Sequence, residues 1–212
     1  MFSIPFILKL VGLATDSTQQ NIKVALVVGH TEKGDKGAYS DALRTTEYDY
    51  WSDVAKRVQN LGKGVQIDIY DVYTHTIQEY YARQKALADK INNSGIKYDY
   101  VFELHFNAAS PLANGSECLH YFNSVIGKKV AVSITNFWSK KFKTTVRGVN
   151  GSRALVNKND RGFYFVYLVK FPAVILELFF GSNSTEALKF QDRDEVAQTL
   201  HQAILNLRKD VK

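Results

Sequence analysis

KVALVV, residues 23–28, followed by Gly29 and His30, is the stretch of sequence that decides the fold. Five consecutive apolar residues end at a glycine, which is typical of a strand that is buried on both faces of a parallel sheet. From Thr45 to Leu61, after a polar loop, apolar residues recur every three or four positions and predict a helix that stops at a glycine. VQIDIYDVY, residues 65–73, then alternates as a second strand.

The same alternation of strand and helix continues to the end of the chain. The later predicted elements are helices over residues 78–93, 125–142 and 193–209, and strands over residues 98–104, 116–122 and 173–180. The sequence shows no internal repeat and no second domain. It predicts a single α/β domain, in which a mostly parallel twisted sheet of about six strands has helices on both faces.

Composition excludes several classes of protein. With 45% hydrophobic and 23% charged residues, the 212-residue chain is not a disordered protein. Its single cysteine, Cys118, rules out an intramolecular disulfide and multi-thiolate zinc sites, so any metal must be held by histidine and carboxylate. The net charge of +6 favours a polyanionic partner: a nucleic acid, a membrane surface or an anionic cell wall. Charge alone does not choose among these.

Residues 1–21 are predicted to precede the folded domain, which we place at residues 22–212. FSIPFILKLVGLA, residues 2–14, is too short to span a bilayer and is interrupted by Pro5 and Lys9. We expect an amphipathic segment that packs on the domain or contacts a membrane, with a cleaved secretory signal as the alternative.

Polar residues interrupt or follow the predicted apolar strands at one edge of the sheet, where ligands of open α/β sheets bind. His30 follows the first strand, His105 ends the strand YVFELH, and Glu177 lies within AVILELFF. Glu47 lies in the first turn of the helix after the first strand. Two histidines and one glutamate form a known catalytic zinc set that leaves a position for water, and the remaining carboxylate is then the candidate base. A buried glutamate such as Glu177 also needs a partner.

The remaining histidines and a nearby glutamate have simpler interpretations. A lone histidine at a strand end is more often structural than a ligand, but two at one edge favour a site. We expect His75, His120 and His201 to be solvated or to cap backbone groups. Glu103 is either a partner of His105 or a surface residue at the end of a strand.

Several other chemistries lack their residues. His30-Thr31-Glu32 has the H-x-E form of zinc deaminases, but the accompanying P-C-x-x-C is absent. The sequence contains no H-E-x-x-H, P-loop or G-x-S-x-G motif. Cys118 lies in an alternating strand and is expected to be a small buried residue rather than a nucleophile.

Five motifs, taken together and in order, resemble those of one enzyme family. They are VVGH (27–30) with Gly37-Ala38 after it, TEYDYW (46–51), ELHFNAA (103–109), GSECLHYF (115–122) and PAVILELFFGSN (172–183). Over nearly all of residues 22–208 the chain resembles the zinc-dependent N-acetylmuramoyl-L-alanine amidases of bacterial cell-wall remodelling and phage endolysins.

This resemblance implies the roles of individual residues. It implies one Zn²⁺ per chain, with Glu177 as the catalytic carboxylate and with Asn107 and Arg161 in the substrate groove. The zinc ligands that it implies are His30, Glu47 and His105.

The resemblance also implies a function, which is hydrolysis of the amide between N-acetylmuramic acid and L-alanine of the peptidoglycan stem peptide by zinc-activated water. The enzyme would act on the cell wall, in the periplasm or outside the cell. If phage-encoded, it would be made in the host cytoplasm and released at lysis. We expect the protein to be a monomer. We expect no nucleic-acid partner, because the aromatic residues fall on predicted core positions and no nucleic-acid motif accompanies them. The alternative is a catalytically inactive amidase-fold domain that binds the wall or regulates another protein.

Overall fold

The computed structural model describes residues 20–71 and 80–211. Its strands are β1 (Ile22–Val28), β2 (Tyr39–Ser40), β3 (Thr45–Thr46), β4 (Val65–Tyr70), β5 (Tyr100–Asn107), β6 (Glu117–Tyr121), β7 (Ser152–Leu155) and β8 (Ala173–Phe180). Its α-helices are α1 (Glu47–Leu61), α2 (Tyr80–Asn92), α3 (Val125–Phe142), α4 (Phe163–Leu168), α5 (Ser184–Ala187) and α6 (Arg193–Asp210), with a 3₁₀ turn at Leu188–Phe190.

The described part of the chain forms one six-stranded sheet in the order β4-β1-β5-β8-β6-β7, beside the two-residue hairpin β2-β3. Strands β4, β1, β5 and β8 are parallel to one another, β6 is antiparallel to β8, and β7 is parallel to β6. Helices α1, α3 and α6 cover one face of the sheet, and α2 and α4 cover the other. The predicted single α/β domain with a mostly parallel sheet is therefore confirmed.

Local signals explain where the elements begin and end. Helix α1 begins at Glu47 because the hydroxyl oxygen of Thr46 accepts a hydrogen bond from the backbone N–H of Asp49, at 3.2 Å. It ends at Gly62, whose φ of 61° is readily adopted by glycine. Helix α3 and strand β8 have the predicted bounds. Strand β4 ends at Tyr70, three residues before the predicted end, and the strand predicted over residues 98–104 runs instead from Tyr100 to Asn107.

Two elements that complete the sheet and its cover were not predicted. Strand β7 has the sequence SRAL and buries only its first and last residues, so it lacks the apolar run of the other strands. It forms because its backbone pairs with β6 at the edge of the sheet. Helix α4, FYFVYL, is six residues long and rich in aromatic residues. Because it has no regular alternation of apolar and polar positions, its sequence shows no helical periodicity.

Three side chains outside the predicted site, those of His120, His201 and Cys118, are buried. His120 is 2% exposed rather than solvated, and its Nδ1 lies 2.9 Å from the carbonyl oxygen of Tyr121, which fits the other predicted role, that of capping a backbone group. His201 is buried, and its Nε2 lies 3.3 Å from the carbonyl oxygen of Gly62 at the end of α1, in the predicted capping role. Cys118 is buried in the core, as predicted.

The predictions for residues 2–14 and for His75 lie outside the described residues. The described chain begins at Gln20, whose carbonyl oxygen accepts a hydrogen bond from Arg208 of α6 at 2.6 Å. Among the described helices, none is long and apolar enough to cross a membrane.

An aromatic cluster in the core gives a test of the packing. Phe179 is fully buried, and its ring centroid lies 4.2 Å from that of Phe190, 5.2 Å from Phe106 and 5.6 Å from Tyr50. We expect Phe179→Ala to lower the free energy of unfolding by about 3–5 kcal/mol, because the cavity removes both transfer energy and contacts. Urea unfolding measures this.

The control is Leu112→Ala, at a side chain that is 85% exposed, which we expect to change the free energy of unfolding by no more than about 0.5 kcal/mol. Equal stabilities of the two variants would show that Phe179 is not a packing centre.

Candidate metal centre

The predicted site residues meet at the carboxyl edge of the parallel strands. His30 lies two residues beyond the end of β1 with a φ of 72°, a left-handed conformation that is uncommon for a residue other than glycine. His105 in β5 pairs in register with Glu177 in β8, so the two Cα atoms are neighbours across the sheet. Glu47 is the first residue of α1, which reaches the same edge.

The Glu47 carboxylate lies between the two imidazole rings. Its Oε2 is 3.2 Å from His30 Nε2, and its Oε1 is 2.7 Å from His105 Nδ1. One ligand atom from each of these three residues lies within 4.8 Å of the others. The backbone N–H of Phe106 also donates to Oε1, at 3.1 Å. This arrangement, in which His30 and Glu47 are buried and His105 is partly exposed, offers two nitrogen ligands and one carboxylate to a single cation.

A second carboxylate faces the far nitrogen of each imidazole. Asp35 Oδ1 lies 3.1 Å from His30 Nδ1, and Glu103 Oε1 lies 3.4 Å from His105 Nε2. Carboxylates in such positions fix the tautomer and orientation of metal-binding histidines. Glu103 is 2% exposed, so it is a partner of His105 and not a surface residue. Sequence reasoning missed Asp35, which lies in a loop without periodicity.

Two glycines allow the backbone to approach the ligands closely. A Cβ atom at Gly29 would overlap the ring of His105. At Gly37, where φ is 75°, a Cβ atom would lie 2.7 Å from His30 Cδ2 and 2.8 Å from Glu47 Cβ, closer than real Cβ contacts. Steric crowding therefore explains why glycine occupies positions 29 and 37 of the motifs.

The electrostatic environment keeps Glu47 ionised. Burial by itself would raise the pKa of Glu47, but hydrogen bonds from His105 and His30 outweigh it and lower the pKa to about 2. For His105, burial opposes the charged form, whereas Glu103 and Glu47 raise its pKa well above the usual value. The cluster is thus rich in negative charge, as expected of a cation site.

Glu177 has a different environment. Burial raises the pKa of Glu177 to about 7, with the neighbouring charge of His105 opposing this rise and that of Glu47 adding to it. Its Oε2 atom is buried and has no hydrogen-bond partner among the residues that the structure describes. A carboxyl group with a pKa near neutrality is suited to accept and return a proton.

Glu117 lies directly opposite Glu177 on the antiparallel strand β6. It is 4% exposed, and its Oε1 accepts a hydrogen bond from Nε of Arg147 at 3.3 Å. Sequence analysis includes Glu117 within a motif but gives it no role, because the direction of β6 cannot be inferred from its sequence.

The cluster opens into a cleft of about 520 Å³, which Asn107 and Arg161 both line. The guanidinium of Arg161 lies over the ring of Tyr80, 5.6 Å from its centroid. All six site residues predicted from the sequence therefore lie on one cleft.

The sequence profile of the N-acetylmuramoyl-L-alanine amidase family matches residues 24–207. The chain belongs to this family. A comparison with curated protein sequences gives no significant match.

Solved structures of amidases share the fold. The catalytic domain of the CD27L endolysin targeting Clostridia difficile has a TM-score of 0.70 at 23% identity, with 88% of this chain and 98% of that one covered. An N-acetylmuramoyl-L-alanine amidase from Clostridium difficile 630 has a TM-score of 0.70 at 21% identity, covering 91% and 100%. The amidase AmiC2 of Nostoc punctiforme has a TM-score of 0.66 at 20% identity, covering 89% and 97%.

Membership of the amidase family confirms the resemblance that the five motifs indicate. The family consists of peptidoglycan hydrolases, so the cell wall is the substrate that membership supports.

The close contact between Gly29 and His105 gives a test of the cation site. We expect Gly29→Ala to weaken binding of Zn²⁺ by at least ~10-fold, because the added methyl group must displace the imidazole and outer-shell disturbances alone typically cost 10–100-fold. Calorimetric titration of chelator-treated protein measures the affinity, and far-UV circular dichroism checks the fold. A folded variant with unchanged Zn²⁺ affinity would contradict this site.

Proposed function

We propose that this chain hydrolyses the amide between N-acetylmuramic acid and L-alanine, using one Zn²⁺ held by His30, Glu47 and His105. The observation that carries the proposal is the convergence of these three ligand atoms within 4.8 Å, beside Glu177 on the neighbouring strand. Family membership supports the bond that is cleaved.

The donor set fits zinc better than the other common cations. Imidazole nitrogen suits zinc, whereas calcium and magnesium prefer oxygen ligands. Two histidines and one glutamate form a known catalytic zinc set that leaves a coordination position open. The described cleft provides space beside the three ligands for a water molecule and the substrate amide.

The reaction divides between the cation and the protein's own side chains. When bound, zinc supplies Lewis-acid chemistry, which lowers the pKa of water to about 7 and polarises a carbonyl group. Glu177 takes the proton from the attacking water and returns it to the leaving nitrogen of L-alanine. Asp35 and Glu103 hold the two imidazoles in place, and Asn107 and Arg161 contact the substrate where they line the cleft.

We further propose that residues 22–212 are the catalytic domain and that it acts as a monomer on peptidoglycan, outside the cytoplasmic membrane. The match to an endolysin catalytic domain supports a role in phage lysis, in which the enzyme is released from the host cytoplasm. Residues 2–14 would then provide membrane contact. The inactive-domain alternative is disfavoured because the ligand cluster and Glu177 are all present.

Removal of the metal tests the first part of the proposal. We expect about one zinc per chain by elemental analysis, and loss of both zinc and amidase activity in His30→Ala and His105→Ala. The assay is release of new L-alanine amino groups from purified peptidoglycan, with and without a chelator. A His105→Ala variant that retained stoichiometric zinc would rule out this ligand set.

The Glu177→Gln variant tests whether Glu177 is the catalytic base. We expect the variant to keep the fold and the zinc but to have a turnover number about 10²–10⁴-fold lower, because the amide of Gln cannot accept the water proton. Asp41→Asn, which removes an exposed carboxylate outside the cleft, is the control for lost charge and should keep wild-type activity. Near-normal turnover by Glu177→Gln would refute its role. Failure of the wild type to cleave, with zinc bound, would favour the inactive-domain alternative.

A further inference from the structure

A second groove adjoins the catalytic cleft. It has a volume of about 340 Å³ and lies between the start of α2 and the loop that leads into α4. Its lining includes Tyr81, Lys158, Asn159, Asp160, Arg161 and Tyr164. Asn159, Asp160 and Arg161 also line the catalytic cleft, so the two are continuous.

We propose that this groove is a subsite for a sugar ring of the peptidoglycan glycan strand. The proposal rests on the proposed function, because it assigns part of the same substrate to a place beside the same site. In that substrate, only a lactyl group separates the scissile amide from the muramic acid ring. A sugar must therefore lie next to the catalytic centre whenever the amide does, and the continuous groove is a place for it.

The aromatic side chains of the groove suit the faces of a sugar. The rings of Tyr81 and Tyr164 have centroids 4.3 Å apart at an interplanar angle of 62°, and Tyr81 is 44% exposed. The face of an aromatic ring carries negative charge, which attracts the weakly positive C–H groups on the apolar face of a pyranose. The two tyrosines lie on α2 and α4, which pack together, so their positions are fixed by helices.

The polar side chains of the groove suit the edges of a sugar. Asp160 Oδ2 accepts hydrogen bonds from the backbone N–H groups of Val156 and Asn157, at 3.0 and 2.9 Å, which shapes the loop. Asn159 and Arg161, whose side chains carry an amide and a guanidinium group, also line the groove. These groups can bind hydroxyl and N-acetyl oxygens. Aromatic faces combined with such donors suit a saccharide, and because the cations Lys158 and Arg161 would also suit stem-peptide carboxylates, the experiment compares substrates with and without the sugar.

Kinetics on two substrates test the proposal. One substrate is a soluble glycan chain that carries stem peptides, and the other is a lactyl-peptide with the same scissile amide but no sugar. We expect the double variant Tyr81→Ala/Tyr164→Ala to raise KM for the glycan substrate by roughly 10-fold, as two lost ring contacts allow. We expect kcat to be unchanged, and both constants to be unchanged for the lactyl-peptide.

Two further variants separate stacking from structure. Tyr167→Ala removes a tyrosine that is 50% exposed on the same helix but does not line the groove, and it should behave as the wild type on both substrates. Tyr164→Phe keeps the ring and should keep the wild-type KM. If the double variant Tyr81→Ala/Tyr164→Ala had an equally raised KM for both substrates, the proposal would be overturned in favour of a peptide subsite or a structural role. An unchanged KM for the glycan substrate would also overturn it.

A binding measurement keeps this test independent of catalysis. Peptide-free glycan strands are titrated into the Glu177→Gln protein, with and without the two tyrosine substitutions, and binding is followed by calorimetry. We expect binding that weakens by roughly 10-fold when both rings are removed. If the wild type cleaves neither substrate, the proposed function is wrong, but the calorimetric titration still shows whether the groove binds glycan. Absence of glycan binding, or binding unaffected by the substitutions, would overturn the subsite.

Discussion

The position of the Glu47 carboxylate between two imidazoles is the interaction on which the site depends. A buried carboxylate is costly unless it is paired, and Glu47 is paired by His30, His105 and the backbone N–H of Phe106. These contacts join the loop after β1, the start of α1 and strand β5 at one point. Because the hydroxyl group of Thr46 fixes where α1 begins, a helix cap also determines where the carboxylate lies.

The register of the sheet supplies the remaining groups. Side chains alternate between the faces of a strand, so Glu103 and His105 emerge on the face opposite to Leu104 and Phe106, which pack in the core. The parallel pairing of β5 with β8 then brings Glu177 beside His105. A shift of one residue in either strand would exchange the face that carries His105 and Glu177 with the core face, so core packing fixes the register that brings these residues together.

The sequence predicts those parts of the structure in which a polar residue stands out against apolar neighbours along the chain. His105 and Glu177 interrupt apolar strands, and such polar breaks are visible because burial makes them unfavourable without a purpose. Asp35 lies in a polar loop, where one more carboxylate gives no contrast. Strand β7 forms through backbone pairing with its neighbour, and Arg153 and Ala154 at its centre are exposed, so its side chains carry no strand pattern. The alternation around His120 does not reveal whether the second face of the strand is also covered, so it leaves open whether His120 is solvated or contacts a backbone group.

The antiparallel direction of β6 has a chemical consequence that sequence periodicity cannot show. It places Glu117 directly opposite Glu177 in the sheet, and both residues line the cleft. The guanidinium of Arg147 pairs with Glu117, and it stacks over the ring of Phe180, 4.9 Å from the centroid. Glu117 therefore has a cation to stabilise its charge, whereas Glu177 Oε2 has no hydrogen-bond partner within the described residues. Burial is the main cause that raises the pKa of Glu177, and the charges of neighbouring carboxylates, Glu117 among them, add to this rise. Arg147 thus pairs with one of the two carboxylates, and the other has a pKa near neutrality, which would suit acid and base chemistry.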